Sequence, residues 1–138
     1  MNLKQGMVAV AVAGALGFAG SAMALTKAEM KAEKERIAAE FKSAKAKCDG
    51  LKANAKDICM AEAKGANKVA KAELEARDKD TEKNRADVQK AKAEAEYNVA
   101  KERCDDMAGN AKDVCKKDAK TAFEAAKPAK HAKVSSTK

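Results

Sequence analysis

The chain has 138 residues, of which 36% are charged and 3% are aromatic, and it contains no tryptophan. Much of the hydrophobic 46% is alanine, which favours helices but buries little apolar surface. These values argue against a deep hydrophobic core and a β-rich fold, and they predict thin helical packing that needs covalent support. The formal net charge of +8 indicates anionic partners.

The first 24 residues have the pattern of a secretory signal peptide. Lys4 precedes an apolar stretch from Met7 to Gly20, and Ala22-Met23-Ala24 is a small-x-small cleavage site. We therefore predict export to the periplasm, with cleavage after Ala24 and no transmembrane anchor afterwards. The alternative is an uncleaved anchor, because the uncharged run from Gln5 to Thr26 is about long enough to span a bilayer.

The first predicted helix begins after Thr26. Glu29 stands three residues later, so the two residues form a capping box in which each side chain accepts a hydrogen bond from the other residue's backbone N–H. Thr26 is therefore the predicted N-cap.

A twelve-residue block that begins and ends with cysteine occurs twice, 56 residues apart. The sequences CDGLKANAKDIC (48–59) and CDDMAGNAKDVC (104–115) agree at seven of twelve positions, and weaker similarity extends outward. Two copies of one unit predict an all-α fold of disulfide-stapled antiparallel helical hairpins, with three to four helices and no β-sheet. We predict one hairpin over 25–79, a second over 80–127 and a disordered basic tail over 128–138.

Each cysteine block indicates a helix end, a short loop and a new helix. Asn54 and Asn110 occupy equivalent positions after the loops, and both are predicted N-caps because asparagine side chains accept hydrogen bonds from exposed backbone N–H groups.

Four cysteines allow three pairings. A block that folds as a hairpin brings its own two cysteines to the Cα separation of about 5.5–6 Å that a disulfide needs. A block that formed one continuous helix would hold them about 16 Å apart. We therefore predict the disulfides Cys48–Cys59 and Cys104–Cys115.

These cysteines are predicted to be structural. The sequence has no C-x-x-C motif, and its only histidine, His131, lies in the tail. We expect no catalytic residues, no metal ligands and no cofactor.

The polar run from Arg77 to Glu82 joins the two units. It contains no glycine or proline, so one helix from Ala55 to Arg103 is compatible with it. The repeat boundary favours a break near Lys79–Thr81 instead, with Thr81 as a cap.

Apolar residues at helical spacing predict a packing seam on each helix. On the last helix the predicted seam consists of Val114, Ala122 and Ala125, with Phe123 beside them.

The signal peptide, the segment Lys31-Ala-Glu-Lys-Glu-Arg-Ile37, the two cysteine blocks and the run from Val69 to Ala76 together resemble a group of small exported Gram-negative proteins. These are known as TolA-like cell envelope biogenesis proteins. The resemblance covers nearly the whole mature chain, although the separate C-terminal globular domain of TolA itself is missing. It implies an envelope location and adds no catalytic residue.

The predicted function is therefore that of a non-enzymatic structural or interaction protein of the periplasm. The expected partner is an envelope protein or an anionic envelope surface of lipid or lipopolysaccharide headgroups, and no nucleic acid is expected. One alternative is a periplasmic chaperone or stress-protection protein that shields unfolded clients. A second alternative is a thiol–disulfide exchange protein, which would require a reactive cysteine.

Overall fold

A computed structural model describes residues 24–128, which form four α-helices and no strand. The helices are α1 (Lys27–Cys48), α2 (Ala53–Asp78), α3 (Glu82–Cys104) and α4 (Gly109–Ala126). The all-α prediction is thus confirmed for this part of the chain. Residues 1–23 of the predicted signal peptide and residues 129–138 of the predicted tail lie outside the described residues.

The predicted capping box at the start of α1 is confirmed. The backbone N–H of Glu29 donates to Thr26 Oγ1 at 3.2 Å, and the backbone N–H of Thr26 donates to Glu29 Oε2 at 2.8 Å. These two bonds satisfy backbone donors that a helix start otherwise leaves unpaired.

The predicted break between the two units is also confirmed. Helix α2 ends at Asp78, and α3 begins at Glu82 with Thr81 as its N-cap. The hydroxyl of Thr81 accepts a hydrogen bond from the backbone N–H of Asn84 at 3.1 Å. A single helix through this region is excluded, so the four helices are separate elements.

The predicted N-caps Asn54 and Asn110 are wrong. The N-cap positions of α2 and α4 are taken by Lys52 and Ala108, and neither residue makes a side-chain capping bond. Both asparagines lie one residue inside their helices. The chain enters each helix earlier than the asparagines indicate.

The first residue of each of these helices is left-handed. Ala53 has a φ of 48° and Gly109, its equivalent in the second repeat, has a φ of 55°. This conformation differs from that of the right-handed helix that follows, so the backbone turns sharply immediately before the asparagine.

The four helices form an open row. Within residues 24–128, contacts between helices join α1 to α2, α2 to α3 and α3 to α4, and no other pair of helices is in contact. The α2–α3 interface is the most extensive of the three. Helices α2 and α3 are therefore covered on two sides, whereas α1 and α4 are the edges of the row and are covered on one side.

The core of this row is thin and lies mainly between α2 and α3. No polar or charged side chain is buried in the described part of the chain, and α4 contributes no buried residue. The buried apolar residues are Ile37, Cys48, Ala63, Leu74, Val88, Ala91, Ala93 and Cys104. Alanines and cysteines make up most of this set, so the predicted shortage of apolar burial is confirmed.

The predicted seam on α4 is wrong. Val114 is 49% exposed, and Ala122 and Ala125 are also exposed. The side of α4 that faces α3 instead carries Cys115 and Phe123, and the ring of Phe123 stacks on Tyr97 with centroids 4.9 Å apart. The disulfide sets the rotation of α4, because Cys115 must point toward α3.

Candidate functional site

Both predicted disulfides are present. Cys48 is bonded to Cys59 and Cys104 to Cys115, with a Cα–Cα distance of 5.6 Å in each pair. Cys48 and Cys104 are completely buried, while the other two cysteines are half-buried. All four cysteines of the chain are therefore bonded, and each bond ties the end of one helix to the first turns of the next.

The two disulfide-bonded bends lie side by side, and we call this end of the molecule the stapled end. The side-chain amide of Asn54, in the first turn of α2, donates to the backbone carbonyl of Glu102, near the end of α3, at 2.6 Å. Asn54 thus joins the two repeats instead of capping a helix. The side chain of Asn110 makes no hydrogen bond within residues 24–128, because in this part of the chain α4 has no neighbouring helix on the side away from α3.

Each bend carries an ion pair between its aspartate and the following helix. Asp105 lies 2.8 Å from Lys112 Nζ and 2.9 Å from Lys116 Nζ, and in the first repeat Asp49 lies 3.6 Å from Lys56 Nζ. Hydrogen bonds from Lys112 and then Lys116 lower the pKa of Asp105 to about 2. The carboxylate is thus held in its charged form.

Apolar side chains are exposed at the tips of both bends. Leu51 is 41% exposed, and Met107, its equivalent in the second repeat, is 46% exposed. Val114, in the second turn of α4, belongs to the same end of the molecule. A small apolar area is therefore available at the stapled end.

A groove of about 560 Å³ lies between α2 and α3, next to Cys115. Its charged lining residues are Glu62, Glu96 and Arg103, and an ion pair of 3.1 Å joins Arg103 to Glu62. The rest of its lining is largely alanine, glycine and valine. Within residues 24–128, no cluster of His, Cys, Asp or Glu side chains has an arrangement that could hold a metal ion.

A stripe of lysines runs along α1. The five residues follow one another at steps of four, three, eight and three residues, so at 100° per residue they lie within a sector of about 80° on one side of the helix. They are Lys27, Lys31, Lys34, Lys42 and Lys45, and we call them the lysine stripe. By helical geometry the stripe lies about a quarter turn from the buried side of α1 that carries Ile37 and Cys48. The stripe therefore points out of one of the two broad faces of the row, and not toward the neighbouring helix α2.

The sequence analysis did not identify the lysine stripe. The signal that identifies it is the comparison of the two repeats. The equivalent positions of α3 carry both signs of charge and are Lys83, Asp87, Lys90, Asn98 and Lys101. The same side of the same helix is thus mixed in one repeat and uniformly positive in the other.

No helix within residues 24–128 is long and apolar enough to cross a membrane. Comparisons with protein-family models, with curated proteins and with solved structures found no match to this chain.

Proposed function

We propose that the protein is a non-enzymatic interaction protein of the Gram-negative cell envelope, of the TolA-like type that its cysteine blocks resemble. It is exported to the periplasm, with its signal peptide cleaved after Ala24. The observation that carries this proposal is the complete pairing of the cysteines in two staples. Disulfides persist in oxidising compartments, of which the periplasm is one, and are rare in the cytosol.

A structural role in place of catalysis is supported by the character of the grooves. The groove between α2 and α3 is lined by small apolar side chains, by the ion pair of Glu62 with Arg103 and by Glu96. Catalytic acids and bases generally lie in clefts where burial or unbalanced charge perturbs their pKa values. The three charged side chains of this groove are all exposed, so burial does not create such an environment there.

An interaction role is supported by the shape of the row. Within residues 24–128, no helix covers the broad faces of the row or the outer sides of α1 and α4, so these surfaces are accessible to a partner. Partners of two kinds fit these surfaces, namely another envelope protein or an anionic headgroup surface of lipid or lipopolysaccharide.

Cell fractionation combined with a non-reducing peptide map tests the proposal. We expect the protein in the periplasmic fraction, beginning at Leu25, with peptides linked as Cys48–Cys59 and Cys104–Cys115. Crosslinking in intact cells should then capture an envelope component. Recovery from the cytoplasm with free thiols would contradict the proposal.

A periplasmic chaperone is the second candidate, and the exposed Leu51, Met107 and Val114 favour it. Apolar side chains at the stapled end could hold unfolded clients. The purified protein should then suppress aggregation of a denatured reporter, and a variant with serine at these three positions should lose this effect. Equal protection by both proteins would exclude the stapled end as the client site.

Thiol–disulfide exchange receives less support, because one cysteine of each disulfide, Cys48 or Cys104, is fully buried and its partner is only partly accessible. Exchange requires a sulfur that an incoming thiolate can reach. Reduction of the native protein by dithiothreitol should therefore be slow in comparison with that of the unfolded chain.

A further inference from the structure

We propose that the lysine stripe of α1 binds the phosphate headgroups of an anionic lipid surface. This inference rests on the proposed envelope location and names the partner of the exposed helical faces.

The positive charge of the stripe is largely unneutralised. Lys27, Lys34, Lys42 and Lys45 form no ion pair within residues 24–128. Lys31 has one partner, Glu35, at 3.9 Å, and both of those side chains are at least 70% exposed. By contrast, every arginine of the chain is in an ion pair; these are Arg36, Arg77, Arg85 and Arg103. The free cationic charge is thus concentrated in lysines.

The fold does not require this arrangement. Like charges three or four residues apart destabilise a helix, and the stripe contains such neighbours at Lys27–Lys31, Lys31–Lys34 and Lys42–Lys45. The equivalent side of α3 avoids the repulsion, since Lys83 pairs with Asp87 at 2.6 Å and Lys90 pairs with Glu94 at 3.9 Å. The second repeat therefore neutralises this side of α3 with ion pairs. The first repeat leaves the equivalent side of α1 positive, at a cost in stability.

The geometry of the stripe suits a flat surface. Lys27 and Lys45 are separated by about 27 Å along a helix with a rise of 1.5 Å per residue. The stripe points out of a broad face of the row, so a planar array of phosphates can meet the whole stripe at once. Lysine ammonium groups on flexible stems adapt to phosphates at variable positions, whereas arginine favours a fixed bidentate geometry.

A single-stranded nucleic acid is a less suitable occupant. Proteins that bind it without sequence preference combine basic grooves with exposed aromatic rings on which bases stack. The aromatic residues of the described chain, Phe41, Tyr97 and Phe123, are half-buried between helices. Lys45 and Lys101 also cover the rings of Phe41 and Tyr97, at 5.5 and 5.6 Å.

The test is co-sedimentation of the purified, disulfide-bonded protein with lipid vesicles. Mixed vesicles of phosphatidylglycerol and phosphatidylcholine are compared with vesicles of phosphatidylcholine alone. We expect binding to the mixed vesicles, a steep loss of binding with added salt, and no binding to the neutral vesicles.

Two variants with the same net charge locate the site. The stripe variant carries glutamine in place of each lysine of the stripe, and the control variant carries glutamine at five lysines that lie elsewhere. The control positions are Lys47, Lys52, Lys56, Lys92 and Lys117. We expect the stripe variant to bind at least about tenfold more weakly than the control, because each basic residue near an anionic surface contributes to binding. Replacement of the five stripe lysines by arginine should retain binding, and circular dichroism checks that every variant is folded.

Several outcomes would overturn the inference. Equal weakening in the stripe and control variants would show that net charge alone attracts the protein to vesicles. If the unaltered protein does not bind the mixed vesicles, an anionic lipid surface is excluded as the partner of the stripe. Stronger, equally stripe-dependent binding to a single-stranded oligonucleotide would assign the stripe to nucleic acid. None of these results depends on the cellular location of the protein, so cell fractionation tests the proposed function independently.

Discussion

Gly65 of α2 lies directly against Ala95 of α3. A Cβ atom added at Gly65 would lie 2.7 Å from the Cβ of Ala95 and 3.3 Å from its Cα. These distances are shorter than the contacts that two carbon atoms tolerate, so the close approach of the central helices requires glycine at this position. The equivalent residue of the second repeat is Thr121, which is exposed on α4, where no further helix of the described chain is packed.

Replacement of Gly65 by alanine should destabilise the protein. Alanine is the better helix former by about 1 kcal/mol, but forcing α2 and α3 apart costs typically 1–3 kcal/mol and affects the main interface of the row. Urea denaturation should therefore show a lower free energy of unfolding. The double variant Gly65→Ala/Ala95→Gly should recover part of the loss.

Gly50→Ala provides the control, because nothing lies within 4 Å of a Cβ at Gly50. This change should be neutral or slightly stabilising. A loss of stability as large as that of Gly65→Ala would contradict the role given to the contact with Ala95.

Exchanging alanine and glycine at the two left-handed positions should have opposite effects on stability. Ala53→Gly should stabilise the protein, since alanine at a φ of 48° has a steric cost that glycine lacks. Gly109→Ala, at a φ of 55°, should destabilise it by about 1 kcal/mol. Thermal unfolding of both variants measures the effects, with Ala55→Gly inside α2 as a control that should lower Tm.

Asn67 and Phe123 occupy equivalent positions but differ in what they contact. Phe123 stacks on Tyr97. Asn67 instead lines a cavity of about 130 Å³ together with Phe41, and the Oδ1 atom of Asn67 is buried without a hydrogen-bond partner. Asn67→Phe should therefore fill the cavity and stabilise the protein by about 0.5–2 kcal/mol. The reverse change, Phe123→Asn, should lower the stability of α4, and an unchanged Tm in both variants would refute the comparison.

Loss of the disulfide Cys104–Cys115 should destabilise α4 more than the other helices. In the described part of the chain this helix contacts α3 alone and contributes no buried residue, so the staple replaces apolar packing. The variant Cys104→Ser/Cys115→Ser should lose about 2–3 kcal/mol of loop-closure stabilisation. Native-state hydrogen exchange should then show fast exchange in α4 while α2 and α3 stay protected. Uniform loss of protection across all four helices would show instead that the row unfolds as one unit.

Asp105 should make stability depend on acid pH. Its pKa is lowered to about 2 in the folded protein from a usual value of 3.8, so the folded state favours the carboxylate. The associated stability is present above the unfolded pKa and is lost as the pH falls toward 2. Asp105→Asn should therefore reduce the difference in Tm between neutral and acid pH. Asp106→Asn, at a carboxylate without an ion pair in the described chain, should leave that difference unchanged.

Local features were predicted correctly because they depend on neighbouring residues. The capping box of Thr26 and Glu29 lies within one helical turn, and the pairing of Cys48 with Cys59 follows from the shortness of the bend between them. The break at Thr81 was favoured by the repeat boundary and is stabilised by a local hydrogen bond to Asn84.

Features that depend on distant contacts were decided by the tertiary structure alone. The partner of Asn54 is a carbonyl 48 residues away, and the outward rotation of Val114 results from a staple and an aromatic stack on the other side of α4. Equivalent residues of the two repeats have different surroundings because the row is open, so α2 has a neighbour on both sides and α4 on one. The sequence by itself thus determined the helices and their covalent staples, which need only local chemistry. Which faces are buried and which stay exposed was determined by the order of helices in space.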